Sequence, residues 1–133
     1  MESVDYTSTF ITIAPDTSAV AGVEPSGSTV AAQTFSLIAS SPYTMRSSDV
    51  IFQVWAARHG ASPDEWATFY ATPRACLRSS DLGKRYGWGI HADADGRLAV
   101  YAVGSAEYAA LADGTAPDGS AVTVKAAMRS SRR

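Results

Sequence analysis

The sequence predicts a single α+β domain spanning residues 1–133. It would hold a mostly antiparallel or mixed sheet of about five strands with about three helices, in the order β-α-β-α-β-β-α-β. Three observations predict it. The chain is 46% hydrophobic and 18% charged with net charge −2 over 133 residues, enough apolar side chain for one modest core. Asp93-Ala94-Asp95-Gly96 separates two strand-like runs and is a hairpin signal. Helix-start residues then fall between the other strand-like runs. No internal repeat and no second domain is visible.

Tyr6–Ile13 is rich in Thr, Phe and Ile, which suits a strand. Residues 15–28 hold Pro15, Gly22, Pro25 and Gly27 and read as a long loop. Ser28 is placed to cap a helix running to Ser40, with Val30, Thr34, Leu37 and Ile38 on one face, and Pro42 stops it. Val50–Ala56 follows Asp49, a residue able to cap a helix. Its β-branched and aromatic content favours a buried strand instead. Ser62-Pro63-Asp64-Glu65 combines a cap, a proline at the first helical position and a Glu three residues on, so a helix starts there. Trp66, Phe69 and Tyr70 share one face of it, and Pro73 ends it.

Residues 74–84 read as irregular and basic. Tyr86–His91 and Leu98–Val103 are the hairpin strands. Ser105 caps a short helix carrying Tyr108 and Leu111, Asp113–Gly119 is a loop, and Val122–Met128 alternates as a last strand.

Composition also excludes functions. A net charge near zero argues against a nucleic-acid binder. No apolar run approaches a membrane span, and no signal-peptide pattern opens the chain. Cys76 is the one cysteine, so no internal disulfide forms. A cytoplasmic location is expected. Positive charge is local: Arg74, Arg78, Lys84 and Arg85 face the single acid Asp81, and Lys125, Arg129, Arg132 and Arg133 close the chain without an acid.

The run Arg85–His91 carries the most chemistry. As a strand it sends Arg85, Gly87, Gly89 and His91 to one face and Tyr86, Trp88 and Ile90 to the other. A four-residue hairpin loop would set Gly89 opposite Val100, His91 opposite Leu98 and Trp88 opposite Tyr101. The glycines clear space, either for a closely packed helix or for a ligand floor. Gly83-Lys84-Arg85-Tyr86-Gly87 is not a phosphate loop, because the Lys precedes the later glycines and a strand follows. Cations near Cys76 would favour its thiolate, with His59 or His91 as a base, but no Cys–His signature surrounds them. Two distant histidines and one cysteine give no metal spacing, and Asp93–Gly96 lacks the rest of a calcium loop. No metal and no cofactor are expected.

Three segments carry a family resemblance: Thr9–Asp16; Cys76-Leu77-Arg78 with Lys84–His91; and Lys125–Ser130. On these the chain resembles a family of small uncharacterised bacterial proteins, a domain of unknown function. The resemblance covers most of the chain, and the middle segment is its most specific part. It implies no activity. The family often has His in place of Trp55 and Cys in place of Thr17, which argues against an essential ligand or nucleophile at either position.

The residues themselves point first to a binding protein for an anionic metabolite or partner. Its site would form where residues 74–91 meet the C-terminal bases. Arg78, Arg85 and Arg129 would supply charge, His91 a hydrogen bond, and Trp88 or Tyr101 an apolar wall. A second reading is a small cofactor-free enzyme, an isomerase, cyclase or hydrolase, with His91 as acid–base, Arg85 as anion stabiliser and Cys76 as a candidate nucleophile. A third is a homodimer, formed through exposed Trp55 or Trp66 or through an unpaired strand edge.

Overall fold

A computed structural model describes residues 4–129. Four strands form one open sheet in the order β3-β2-β1-β4. They are β1 (Thr9–Thr12), β2 (Trp88–Ala92), β3 (Leu98–Ala102) and β4 (Thr123–Ala126). β2 is antiparallel to both β1 and β3, whereas β4 is parallel to β1. The fold class is therefore α+β with a mixed sheet. Its helices are α1 (Val30–Ser40), α2 (Ser47–His59), α3 (Trp66–Tyr70), α4 (Asp81–Lys84) and α5 (Ala106–Ala112).

The strand expected over 50–56 is a helix, which accounts for four strands in place of five. Strand propensity is a weak local preference, and the ends of this segment override it. Asp49 accepts a hydrogen bond from the Arg46 N–H at 3.0 Å. Asp5 caps from outside the helix: its two carboxylate oxygens accept from the Ser48 N–H at 2.8 Å and the Ser48 hydroxyl at 2.9 Å. Gly60 closes α2 in the left-handed conformation, φ 63°. Val50 and Val54, one helical turn apart, then bury against the sheet while Phe52 packs on Trp66 and Phe69. Burying three such side chains contributes roughly 1.5–3 kcal/mol each, more than propensity opposes.

Other departures are smaller. Thr29 caps α1, not Ser28: its hydroxyl accepts from Ala32 N–H at 3.2 Å. Residues 74–84 are not wholly irregular, since Leu77–Ser79 makes a 3-10 turn and α4 follows it. At Ser62 the Glu65 carboxylate accepts from the Ser62 N–H at 3.1 Å as expected, but the Ser62 hydroxyl donates to Asp64 and a 3-10 turn, Pro63–Glu65, leads into α3. The Ser105 hydroxyl caps α5 as expected, accepting from the Tyr108 N–H at 3.1 Å.

The hairpin register also moves. Asp93 N–H donates to Arg97 O and Gly96 N–H to Asp93 O, both at 2.9 Å, with Gly96 at φ 83°. This is a three-residue loop with a bulge glycine, one residue shorter than expected. Gly89 therefore faces Tyr101, His91 faces Ala99, and Trp88 faces Ala102. A one-residue change of register exchanges partners across faces, and so Tyr101 joins His91 and leaves Trp88.

The sheet separates two cores. Ile11, Ile90, Ala92 and Leu98 pack beneath α1, α2 and α4. Phe10, Tyr108, Leu111 and Ala116 form the core under α5. The space over Gly89 is taken by the chain itself: a Cβ there would run into the Phe10 ring and lie 2.8 Å from the Tyr108 ring.

Candidate functional site

The helical period of α2 builds one wall of a concavity. Ile51, Val54, Trp55, Arg58 and His59 recur at i, i+3, i+4, i+7 and i+8, which places them on one stripe. They face Val30, Ala31 and Thr34 of α1 and the 74–81 segment across a cleft of about 400 Å³. Val54, Ala31 and Leu77 are buried members of the core, so the floor of the cleft is apolar. Arg58, His59, Arg74, Cys76, Ser79, Ser80 and Asp81 contribute its polar lining.

Arg74 is the most constrained of these. Its Nε donates to Phe69 O at 3.0 Å, and its guanidinium carbon lies 3.8 Å from the centroid of the Phe69 ring. The Trp55 ring is 5.9 Å away. A cation over an aromatic face is attracted by the ring quadrupole. The terminal guanidinium nitrogens have no acceptor among the described residues, so a two-pronged donor is held in place and left unused. Arg58, by contrast, donates from Nη1 to Ser28 O at 2.6 Å. His59 stacks on Trp55 at 4.9 Å and 23°, with Nδ1 2.8 Å from Trp55 O. A carbonyl only accepts, so Nδ1 carries the hydrogen and Nε2 is the nitrogen left for other partners. The Cys76 sulfur sits 3.2 Å from the Tyr6 hydroxyl, and burial followed by that thiol contact raises the Tyr6 pKa.

A second polar group lies on the opposite face of the sheet. The Tyr43 hydroxyl is 2.8 Å from His91 Nδ1 and 2.8 Å from the Tyr101 hydroxyl. His91 is 4% exposed. Burial lowers its pKa, opposed by the carboxylates of Asp93 and Asp118. Burial also raises the Tyr43 pKa, helped by its contact with Tyr101. Both shifts favour the uncharged forms of His91 and Tyr43. Tyr43 lies in the α1–α2 connection at φ 56°, a left-handed backbone that costs a non-glycine residue about 1–2 kcal/mol. Its N–H donates to Leu98 O at 2.7 Å, fixing the connection to β3.

The residues expected to share one site do not meet. Arg78 donates from Nε to Ala126 O at 2.8 Å and accepts at its own carbonyl from Met128 N–H, so it anchors β4. Arg85 is exposed, 3.6 Å from Asp81. Arg129 is exposed beyond β4, and Arg132 and Arg133 lie outside the described residues. Trp88 is on the helical face, 4.7 Å from Phe35, with its indole N–H donating to Val23 O at 2.9 Å. His91 and Tyr101 lie on the other face, because alternate strand residues point oppositely. Of the residues expected to act at a site, Cys76 and its candidate base His59 line the cleft, and Arg78, Arg85, Trp88, His91, Tyr101 and Arg129 do not. Arg74, noted in the sequence only as one of a basic run, is its central group. A strand over 50–56 does not bring Trp55 to one face with Arg58 and His59, whereas the helix does. Among the described residues no group of three or more His, Cys, Asp or Glu is placed to hold a metal.

The molecule is thus an α+β domain with a helix-lined cleft and a hydrogen-bonded polar chain behind the sheet. It belongs to DUF6157, a family of unknown function whose model matches residues 1–133. No curated protein and no solved structure matches the chain. No helix among the described residues is long and apolar enough to cross a membrane.

Proposed function

We propose that the protein binds a small anionic molecule in the cleft between α1, α2 and residues 74–81. The Arg74 guanidinium carries this reading. Its plane is fixed by Phe69 and its outer edge has no partner among the described residues, so little side-chain entropy is lost when an anion accepts from it. The cleft volume lies within the usual range for ligand pockets, about 300–1,000 Å³. The protein would work in the cytoplasm, where an unpaired thiol such as Cys76 stays reduced. The test is a titration with phenylacetate and phenyl phosphate followed by amide chemical shifts. Saturable shifts at residues 51–59 and 74–77 are expected, and they should be weakened in Arg74→Gln. The reading fails if neither anion moves those residues.

A second reading is self-association through β4, which is an edge strand with Val124 41% exposed. The exposed Lys125 beside it works against edge pairing. Light scattering at high concentration decides it: a monomer excludes this reading.

A further inference from the structure

The cleft carries a statement about ligand class as well as charge, and it rests on the binding reading above. We infer that the ligand is a monocarboxylate with an apolar body, not a phosphate ester. The observations are the number of free cations and the nature of the walls.

Among the described residues that line the cleft, Arg74 is the cation whose two terminal nitrogens both lack an acceptor. Arg74 offers two parallel donors, the match for the two oxygens of a carboxylate. Arg58 is committed through Nη1 to Ser28 O. The remaining charged side chain of the lining is acidic: Asp81 is paired with Arg85, which is not part of the lining. A phosphate monoester carries nearly two negative charges at neutral pH. Its second charge would share the cleft with the Asp81 carboxylate and would be met only by Arg58, whose fork is already broken by the bond to Ser28 O. The backbone supplies no substitute. α4 is a single turn beginning with Asp81, and its Gly83 is buried, with a Cβ position 2.9 Å from Ala127. Among the described residues no glycine lines the cleft to present a cradle of N–H groups.

The rest of the lining suits hydrocarbon. Val54, Leu77 and Ala31 form the floor, and Ile51, Trp55 and Phe69 the walls. Apolar surface buried there contributes about 25 cal/mol per Å². A carboxylate at Arg74 with an aryl or alkyl body over this floor satisfies both parts at once. Either part alone leaves the other in water.

The experiment uses calorimetry and amide shifts on the wild-type chain with four probes: 4-phenylbutyrate, its neutral amide, phenyl phosphate and inorganic phosphate. 4-Phenylbutyrate should bind saturably, with shifts at Val54, Trp55 and residues 74–77. The amide and phenyl phosphate should each bind at least ten-fold more weakly, and inorganic phosphate should not move those residues. Arg74→Gln should lose at least ten-fold in 4-phenylbutyrate affinity and Arg74→Lys less. The probe comparison needs no variant, so a poorly folded mutant does not decide it. Phenyl phosphate binding at the cleft as tightly as 4-phenylbutyrate overturns the ligand class and leaves the binding reading standing. Equal binding of the amide overturns the role of charge. Failure of every probe to shift the cleft residues overturns both.

Discussion

Behind the sheet, the Tyr43 hydroxyl is shared between His91 Nδ1 and the Tyr101 hydroxyl. On the helical side, Arg74 is held as firmly but keeps its outer edge free. Both sites are built from polar groups fixed by neighbours. They differ in whether the hydrogen-bonding capacity is closed or open. An internally bonded network stabilises and positions, because breaking it strands the buried His91 nitrogen. A pre-set donor with no acceptor contributes little to folding and is ready for an outside partner. The comparison therefore assigns stability to the His91 face and recognition to the cleft.

The largest effect should come from closing space on the His91 face. Gly89→Ala drives a methyl into the Phe10 and Tyr108 rings. Overpacking of this kind costs about 3 kcal/mol, read by urea unfolding. A loss below about 0.5 kcal/mol would mean that the rings are loosely placed. Tyr43→Phe comes next. It removes the hydroxyl shared by His91 and Tyr101 and strands a buried nitrogen, for about 2 kcal/mol. It should leave affinity at the cleft unchanged, and a parallel loss of affinity would show that the two faces are coupled through the α1–α2 connection.

Acidification probes the same face more gently. The folded His91 pKa lies below its ordinary value of 6.5 because the ring is buried. On acidification through that value the unfolded chain takes up a proton that the folded chain still refuses. Stability is therefore full above about pH 6.5 and falls as pH drops toward the folded pKa. His91→Gln should flatten the slope of unfolding free energy between pH 7 and 5. An unchanged slope would remove His91 as its source. The smallest effect on stability belongs to the open site: Arg74→Gln gives up an Nε hydrogen bond and a cation–aromatic contact on a half-exposed side chain, for about 1 kcal/mol or less.

How much of this was legible in the sequence differs between the two faces. The alternation in β2 correctly separates His91 from Trp88, and the hairpin signal at 93–96 is real. The sequence does not show that Gly96 serves as a bulge, and that one-residue difference moves Tyr101 to the His91 face. Nothing local marks Tyr43 as the third member, since it reaches His91 from 48 positions away. The cleft was lost for a different reason. Val50–Ala56 has strand-like composition, and the helix is imposed by Asp5, 43 positions before the Ser48 it caps. Yet the 51, 54, 55, 58, 59 spacing was present throughout, and extending the window to Gly60 reveals it. The basic 74–84 run was visible as charge. Which arginine is free, which anchors β4 and which pairs with Asp81 depends on tertiary neighbours alone.

The most direct test measures unfolding free energy and 4-phenylbutyrate affinity together on Tyr43→Phe and Arg74→Gln. Dissociation is predicted: Tyr43→Phe loses about 2 kcal/mol of stability with wild-type affinity, and Arg74→Gln loses at least ten-fold in affinity with about 1 kcal/mol or less of stability. Wild-type affinity in a folded Arg74→Gln would contradict the account.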